Sequence, residues 1–479
     1  MNPKNSQNPL APSWLQVPAD PNAIDMRIWP TNMTRTESGE VTIAGVGVDE
    51  LATSYGTPLF VLDEGDFKAR AKHVKASLVA AARSVGSDAK VYYASKAFLC
   101  TEIARWIDEL GLNIDVSTGG ELAVALAAGI DPARIGLHGN NKSLFEIGRA
   151  VTSGVGAIVI DSEIEIERIA SAAGAQDKIQ PVRLRVNSGV HAHTHEFLAT
   201  AREDQKFGVP LSEVPELVAK IRSHSHLRFL GLHSHIGSQI FGSEGFVEAA
   251  KRLIQVHAEL LKGGDVPELN LGGGFGINYT AADDAPEIET LARDIAQAVK
   301  AQCDAAGIPV PKLAFEPGRV IAGPSTVTLY NVGTTKDVAV TDGATPAVRK
   351  YVSVDGGMSD NARPALYEAE YSTVLVSRAS DAAPALVRVV GKHCESGDIV
   401  VRHDYLPADV APNDLLAVAA TGAYCYSLSS NYNFVPRPAV VAVRAGKARL
   451  VLRAETEADL FARDVAYQAA LGGSKKTKD

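Results

Sequence analysis

Lys96 is the first residue placed where it could do chemistry. It follows Tyr92-Tyr93-Ala94-Ser95 and precedes Ala97-Phe98. An amine among apolar neighbours is desolvated, its pKa falls, and it can form a Schiff base with a carbonyl. A surface lysine snorkelling off a strand end fits the same stretch. Leu271-Gly272-Gly273-Gly274-Phe275-Gly276 could bring backbone N–H groups against a phosphate, or simply form a tight turn. In Glu316-Pro317-Gly318-Arg319 the arginine could grip phosphate or carboxylate, and the acid could keep a pyridine nitrogen protonated. An ion pair inside a turn is the plainer alternative. His233-Ser234-His235-Ile236-Gly237-Ser238 offers an imidazole to stack on a flat ring (His235) and a hydroxyl to donate to phosphate (Ser238). In a strand, 233 and 235 share a face. His191, His193 and His195 raise the question of a metal. No carboxylate or cysteine stands at ligand spacing beside His233 and His235, and the other three are read as solvated or substrate-loop histidines after the fifth run, so no metal is expected.

These groups need a scaffold that collects them. Between 57 and 325 short apolar runs alternate with helical patterns: Lys90–Ser95, Asn113–Ser117, Arg134–Gly139, Ala157–Asp161, Pro181–Val186, Phe229–Ile236, Glu268–Gly273 and Lys312–Gly318. Nearly continuous apolar strands separated by helices imply a parallel sheet covered on both faces. Eight such units predict a closed (β/α)8 barrel, with an extra helix over 64–86 ahead of the first strand. Barrels of this kind present chemistry at the C-terminal strand ends. Lys96, Asp115, His138, Asp161, Arg185, His235, glycines 272–274 and Glu316 stand there in order. After 325 strand-like runs follow one another without long helices, which predicts a β-rich domain, with a hairpin turn at Ala445-Gly446-Lys447.

The expected division is a flexible extension over 1–24, a segment over 25–54 that packs with the β domain, a barrel over 55–325, a β-sandwich or barrel over 326–470, and a disordered tail over 471–479. A chain of 479 residues, 46% hydrophobic and 22% charged, is globular and large enough for two domains. The net charge of −9 and the absence of a basic stripe argue against a nucleic-acid partner. No apolar run is long enough for a membrane span, and no leader peptide is apparent at the polar N-terminus. Cys100, Cys303, Cys394 and Cys425 show no CxxC spacing, so reduced thiols in a cytoplasm are expected.

Four motifs now carry a family resemblance: YASKAF at 93–98, GLHSHIGSQ at 231–239, LNLGGGFGINY at 269–279 and FEPGR at 315–319. They resemble the alanine-racemase-fold decarboxylases, the fold-type III group that includes ornithine, arginine and diaminopimelate decarboxylases. The resemblance runs from about 28 to 465 and is strongest to the diaminopimelate decarboxylases of the longer, actinobacterial type. It implies pyridoxal 5'-phosphate as cofactor, with Lys96 as its covalent carrier and His235 stacked on the ring. It also implies that Ser238, Gly273, Gly274, Arg319 and Tyr424 surround the phosphate, and that Glu316, in the Glu316-Pro317-Gly318-Arg319 turn, pairs with the pyridine nitrogen. Asp115, Glu121 and Arg185 match supporting positions around ring and lysine.

In the β-rich part, His393-Cys394-Glu395-Ser396 is similar to the group's CES motif. There the cysteine is the proton donor and the glutamate meets the substrate's distal ammonium, both entering from the partner subunit of a homodimer with shared sites. A free thiol has a pKa near 8.5, so at neutral pH Cys394 would be mostly protonated and able to donate. Asp360 to Tyr367 resembles the segment that binds the distal carboxylate, with Arg363 and Tyr367 as its grips; Arg319 and Tyr424 complete the substrate contacts. The implied reaction is decarboxylation of meso-2,6-diaminopimelate to L-lysine and CO2, the last step of lysine biosynthesis. Rival readings are a decarboxylase of ornithine, arginine or carboxynorspermidine, a racemase, and a non-catalytic cofactor-binding regulator. The loop after the fifth run reads Asn187-Ser188-Gly189-Val190-His191, where members of the group more often carry Pro after Asn and Asp before Ala-His. That bears on loop rigidity and on no residue assigned to chemistry.

Overall fold

A computed structural model describes residues 8–190, 206–342 and 345–473. His191, His193 and His195 lie outside the described residues. The chain forms two compact units: Lys68–Ile277 with Asp284–Ile321, and Met1–Phe67 with Asn278–Asp283 and Ala322–Asp479.

The first unit is the barrel. Its strands are β1 Ala89–Ala94, β2 Asn113–Val116, β3 Ile135–Leu137, β4 Ala157–Ile160, β5 Gln180–Asn187, β6 Leu227–His233, β7 Glu268–Asn270 and β8 Lys312–Phe315. Each pairs in parallel with the next, and β8 returns to β1 through Leu313↔Ala89, Ala314↔Lys90 and Phe315↔Val91. Every residue of β3 and β4 is buried, as required of strands with side chains inside the barrel and helices outside. Intervening helices begin and end on local signals. Helix Leu144–Ser153 starts with a Ser143/Glu146 capping box and stops at Gly154, which takes φ 77 without a Cβ penalty. Toward the strand starts, Glu268 accepts from Lys90 at 2.5 Å and from Arg183 Nη2 at 2.6 Å, pairing charges that burial would otherwise penalise.

The second unit is β-rich. Thr326–Asp342 and Thr345–Val354 run antiparallel in a long hairpin. Leu59–Asp63, buried at every residue, pairs antiparallel with Thr326–Leu329 and parallel with Ala439–Val443. A strand buried along its whole length needs backbone partners at both edges, and it finds them here. The expected barrel start at 55 is therefore corrected: residues up to Phe67 belong to the β-rich unit, as do Asn278–Asp283.

The N-terminal segment adds a three-stranded sheet of Met33–Arg35, Val41–Ile43 and Val46–Gly47. Arg35 Nη2 donates to the Leu375 carbonyl at 2.8 Å. The expected flexible extension is also corrected for residues 8–24. Asn22 Nδ2 donates to Ser380 O while Ser380 N–H donates back to Asn22 Oδ1, each at 2.9 Å. Trp14, Leu15, Gln16 and Pro18 help line a cavity of about 150 Å3 with Tyr371, His403 and Asp404. Polar side chains bonded to distant backbone hold this stretch, and no apolar periodicity announces them. The last helix, Val465–Gly473, occupies the start of the expected tail; residues 474–479 lie outside the described residues. The Ala445-Gly446 turn is as expected, with Arg444 opposite Lys447 and positive φ at both central residues. Among the described residues no helix is long and apolar enough to cross a membrane.

Candidate active site at the barrel mouth

The strand-end groups of the barrel converge on Glu316, just past β8. Its carboxylate takes three partners. Asn270 Nδ2 donates to Oε1 at 2.6 Å, His138 Nε2 lies 3.1 Å from Oε1, and His233 Nε2 lies 3.1 Å from Oε2. Burial alone would push this carboxyl up; His138 and His233 outweigh it and hold it well below the usual carboxylate range. His233 is itself pushed down to about 4 by burial, with Glu316 countering only in part, so its ring is neutral at pH 7. His138 Nε2 also stands 3.3 Å from Asp115 Oδ1. Burial raises the Asp115 carboxyl to about 7, with the charge of His138 pulling the other way.

That shift predicts a pH-dependent stability. Ionising a raised carboxyl costs stability that grows as pH climbs from the unfolded value near 4 through 7. Asp115→Asn removes the cost, so its cofactor-free melting temperature should exceed that of the parent by about 2–4 °C at pH 8. The gain should shrink steadily toward pH 4. Differential scanning fluorimetry across this range checks it, and a gain independent of pH would contradict it.

Lys96 sits in the turn after β1, where Ala94 N–H donates to Pro317 O and Ser95 N–H to Asp115 O. The sequence suggested an amine desolvated among apolar residues; Lys96 is instead exposed in the isolated chain. The apolar neighbours point elsewhere, with Ala94 and Ala97 facing Gly318, where a Cβ would come within 3.0 Å of Ala94. His235 lies in the loop beyond β6, not in the strand, and its Nδ1 accepts the Gly273 N–H at 3.3 Å. Burial, reinforced by the charges of Lys96 and Arg185, keeps it neutral.

At the glycine run three loops pass one another closely. A Cβ at Gly273 would stand 2.1 Å from Glu316 O, and one at Gly274, 2.4 Å from Gly237 O. Arg319 Nη2 donates to Ser238 Oγ at 2.9 Å, so an arginine and a hydroxyl stand together as an anion grip. Arg185 lies 3.8 Å from Asp161 Oδ1, with its guanidinium 4.2 Å over the Phe207 ring. Glu121 spends its carboxylate on the Ser117 N–H at 2.6 Å.

Sequence reasoning passed over Asn270. It is fully buried, donates to Glu316, and takes the Gly272 N–H at 2.8 Å, tying the glycine turn to the acid. Its signal was a lone amide closing an apolar strand immediately before the glycines. The argument against a metal also needs correction. No carboxylate lies near the histidines in sequence, but the fold supplies Glu316, and its oxygen lies within 4.8 Å of His138 and His233 nitrogens.

The β-rich unit holds the remaining expected residues. Arg363 opens the short helix Arg363–Tyr367 and is buried. Its guanidinium lies 4.7 Å over Tyr279 and 5.5 Å over Tyr371, and Nη1 donates to the Tyr371 hydroxyl at 2.5 Å. Tyr367, by contrast, is 65% exposed. Tyr424 holds a left-handed backbone at φ 66. Cys394 and Glu395 are exposed on the loop between strands Pro384–Val390 and Ile399–Pro407.

Residues 71–323 match the family described as pyridoxal-dependent decarboxylase, pyridoxal binding domain. The diaminopimelate decarboxylase of Mycobacterium tuberculosis (strain ATCC 25618 / H37Rv) is 55% identical over 446 residues, covering 91% of this chain and 98% of that protein. The one from Mycobacterium leprae is 52% identical over 470 residues, with coverages of 96% and 98%. This chain belongs to the diaminopimelate decarboxylase family. The crystal structure of diaminopimelate decarboxylase from M. jannaschii in co-complex with L-lysine superposes with a TM-score of 0.81 at 29% identity, over 91% of this chain and 98% of that one.

The barrel mouth fits the pyridoxal group this family uses. Among the described residues His233 Nδ1 is buried without a hydrogen-bond partner, as expected of a group built to face a polar ligand. An ionised acid, a neutral imidazole and an arginine–serine pair match a protonated ring nitrogen, a flat ring and a phosphate.

Proposed function

We propose that this chain removes one carboxylate of meso-2,6-diaminopimelate as CO2 and releases L-lysine. The observation that carries the reading is the ionised Glu316, held by Asn270, His138 and His233 at the strand ends that also bear Lys96. Pyridoxal phosphate, when bound, supplies the electron sink for the pair left behind by CO2. Glu316 holds a proton on the ring nitrogen by offering it a carboxylate. His235 would stack its neutral ring on the cofactor, and Ser238, Arg319, Tyr424 and the turn at Gly273 and Gly274 would hold the phosphate. Lys96 Nζ carries the cofactor and shuttles protons at its own nitrogen.

Substrate choice rests on the β-rich unit. Arg363 and Tyr367 take the distal carboxylate, and Glu395 takes the distal ammonium. The tyrosine cage around Arg363 fixes its fork, which suits bidentate carboxylate recognition. Cys394 Sγ delivers a proton to the carbon that lost its carboxylate. Its exposure with Glu395 accords with a homodimer in which this loop serves the partner's site. The four cysteines show no CxxC spacing, which accords with a reducing cytoplasm. Relatives named diaminopimelate decarboxylase at 41–55% identity support the substrate.

The test is CO2 release, with added cofactor, from meso-diaminopimelate, ornithine, arginine and L-lysine. Turnover of diaminopimelate should exceed each of the others by at least about a hundredfold, because the alternatives leave Arg363 unpaired. Turnover of another amino acid without diaminopimelate would overturn the specificity.

A further inference from the structure

The loop that carries Cys394 and Glu395 is fastened from below and from the side. From below, Asp398 accepts the His393 N–H at 2.7 Å and the Met358 N–H at 2.6 Å. The approach is so close that a Cβ at Gly391 would meet Asp398 Oδ2 at 2.3 Å. His393 Nε2 lies 2.9 Å from Ser359 Oγ and accepts the Ser359 N–H at 3.4 Å. An Nε2 that accepts has no proton, so Nδ1 carries it. Nδ1 faces Asn433 Oδ1 at 3.3 Å, and the same oxygen accepts the Cys394 N–H at 3.2 Å.

One amide oxygen therefore takes both the residue before the thiol and the thiol residue itself. Asn433 comes from a distant turn and sits at φ 51, ψ 26, a left-handed conformation that Asn tolerates better than most residues. Phe434 beside it is also left-handed, at φ 56, and 68% exposed, so the turn is not shaped by core packing. Tyr432, on the other side, lays its ring 5.4 Å from that of His393.

We infer that Asn433 is a positioning residue for the reaction, setting the place of the Cys394 thiol through the shared oxygen. The inference rests on the reading of Cys394 as proton donor. Asn433 touches neither substrate nor cofactor in this account and acts only through the loop.

Asn433→Gly is the informative variant, because glycine keeps the left-handed turn and removes only the side chain. With meso-diaminopimelate and added cofactor, kcat should fall about tenfold while KM stays within about twofold, a split that loss of an aligned acid produces. Asn433→Asp keeps an oxygen acceptor and the turn, and should recover kcat to within about threefold of the parent. In a Cys394→Ala background, Asn433→Gly should cost less than about twofold more, since the group it positions is gone. A full further tenfold loss there, or a parental kcat for Asn433→Gly in the presence of Cys394, overturns the inference alone. Full turnover by Cys394→Ala itself removes the donor assignment, and the inference with it.

Discussion

Replacing Lys96 with alanine should lower kcat by about three orders of magnitude or more, the scale expected when a nucleophilic and acid–base group is removed. Lys142 cannot take over. Lys142, in the loop after β3, is buried in an ion pair with Glu165 at 2.9 Å and donates to Gly139 O at 2.5 Å. Burial lowers its pKa, with Glu165 opposing, but its nitrogen is committed to fixed partners. Borohydride reduction followed by peptide mass mapping should place a pyridoxyl group on the Lys96 peptide of the parent protein and on no peptide of Lys96→Ala. An adduct on Lys142, or on any other lysine, would refute the assignment.

Glu316→Gln should be the next most damaging change to chemistry. The parent carboxylate is held ionised by His138, His233 and Asn270 and can keep a ring nitrogen protonated. Glutamine matches its shape without its charge. Loss of a hydrogen bond to a charged group is worth roughly 1.5–3 kcal/mol, so kcat should fall about ten- to a hundredfold. Since the acid's pKa lies well below the usual range, Glu316 is charged across pH 6–8 and the deficit should be level there. A depressed acid contributes stability above its unfolded pKa and loses it as pH falls through the folded value. The parent should therefore lose stability on acidification below about pH 4, and Glu316→Gln should lose less. Stopped-assay kinetics and acid melts measure both. A kcat within about twofold of the parent would remove Glu316 as the ring partner.

All eight barrel strands were readable because strands covered on both faces leave an unbroken apolar run, and because helix caps such as Ser143 and Gly154 punctuate them. The chemical groups were readable as the polar residues that interrupt those runs. Other features depend on contacts no short window contains. Thr334 to Lys350 alternates polar and apolar residues weakly, so the long hairpin declares itself only by pairing across strands. The aromatic cage of Arg363 takes Tyr279 from a segment that sequence order assigns to the barrel. Asn270 is one amide, legible as a partner only once Glu316 and Gly272 stand on either side of it. Lys96 stands at the strand end where the sequence puts it, but in other surroundings than expected, since its apolar neighbours pack away from its amine.

Gly273 and Gly274 have a consequence for how this chain tolerates change. A Cβ at Gly273 would be driven against the carbonyl of Glu316 and one at Gly274 against that of Gly237, so adjacent substitutions in this one turn would displace the acid turn and the histidine loop respectively. Affinity for the phosphate and alignment of the ring acid are thus not separate dials. A drifting or engineered sequence that retunes one must carry the other with it, and the route to a different cofactor grip runs through rebuilding three loops at once.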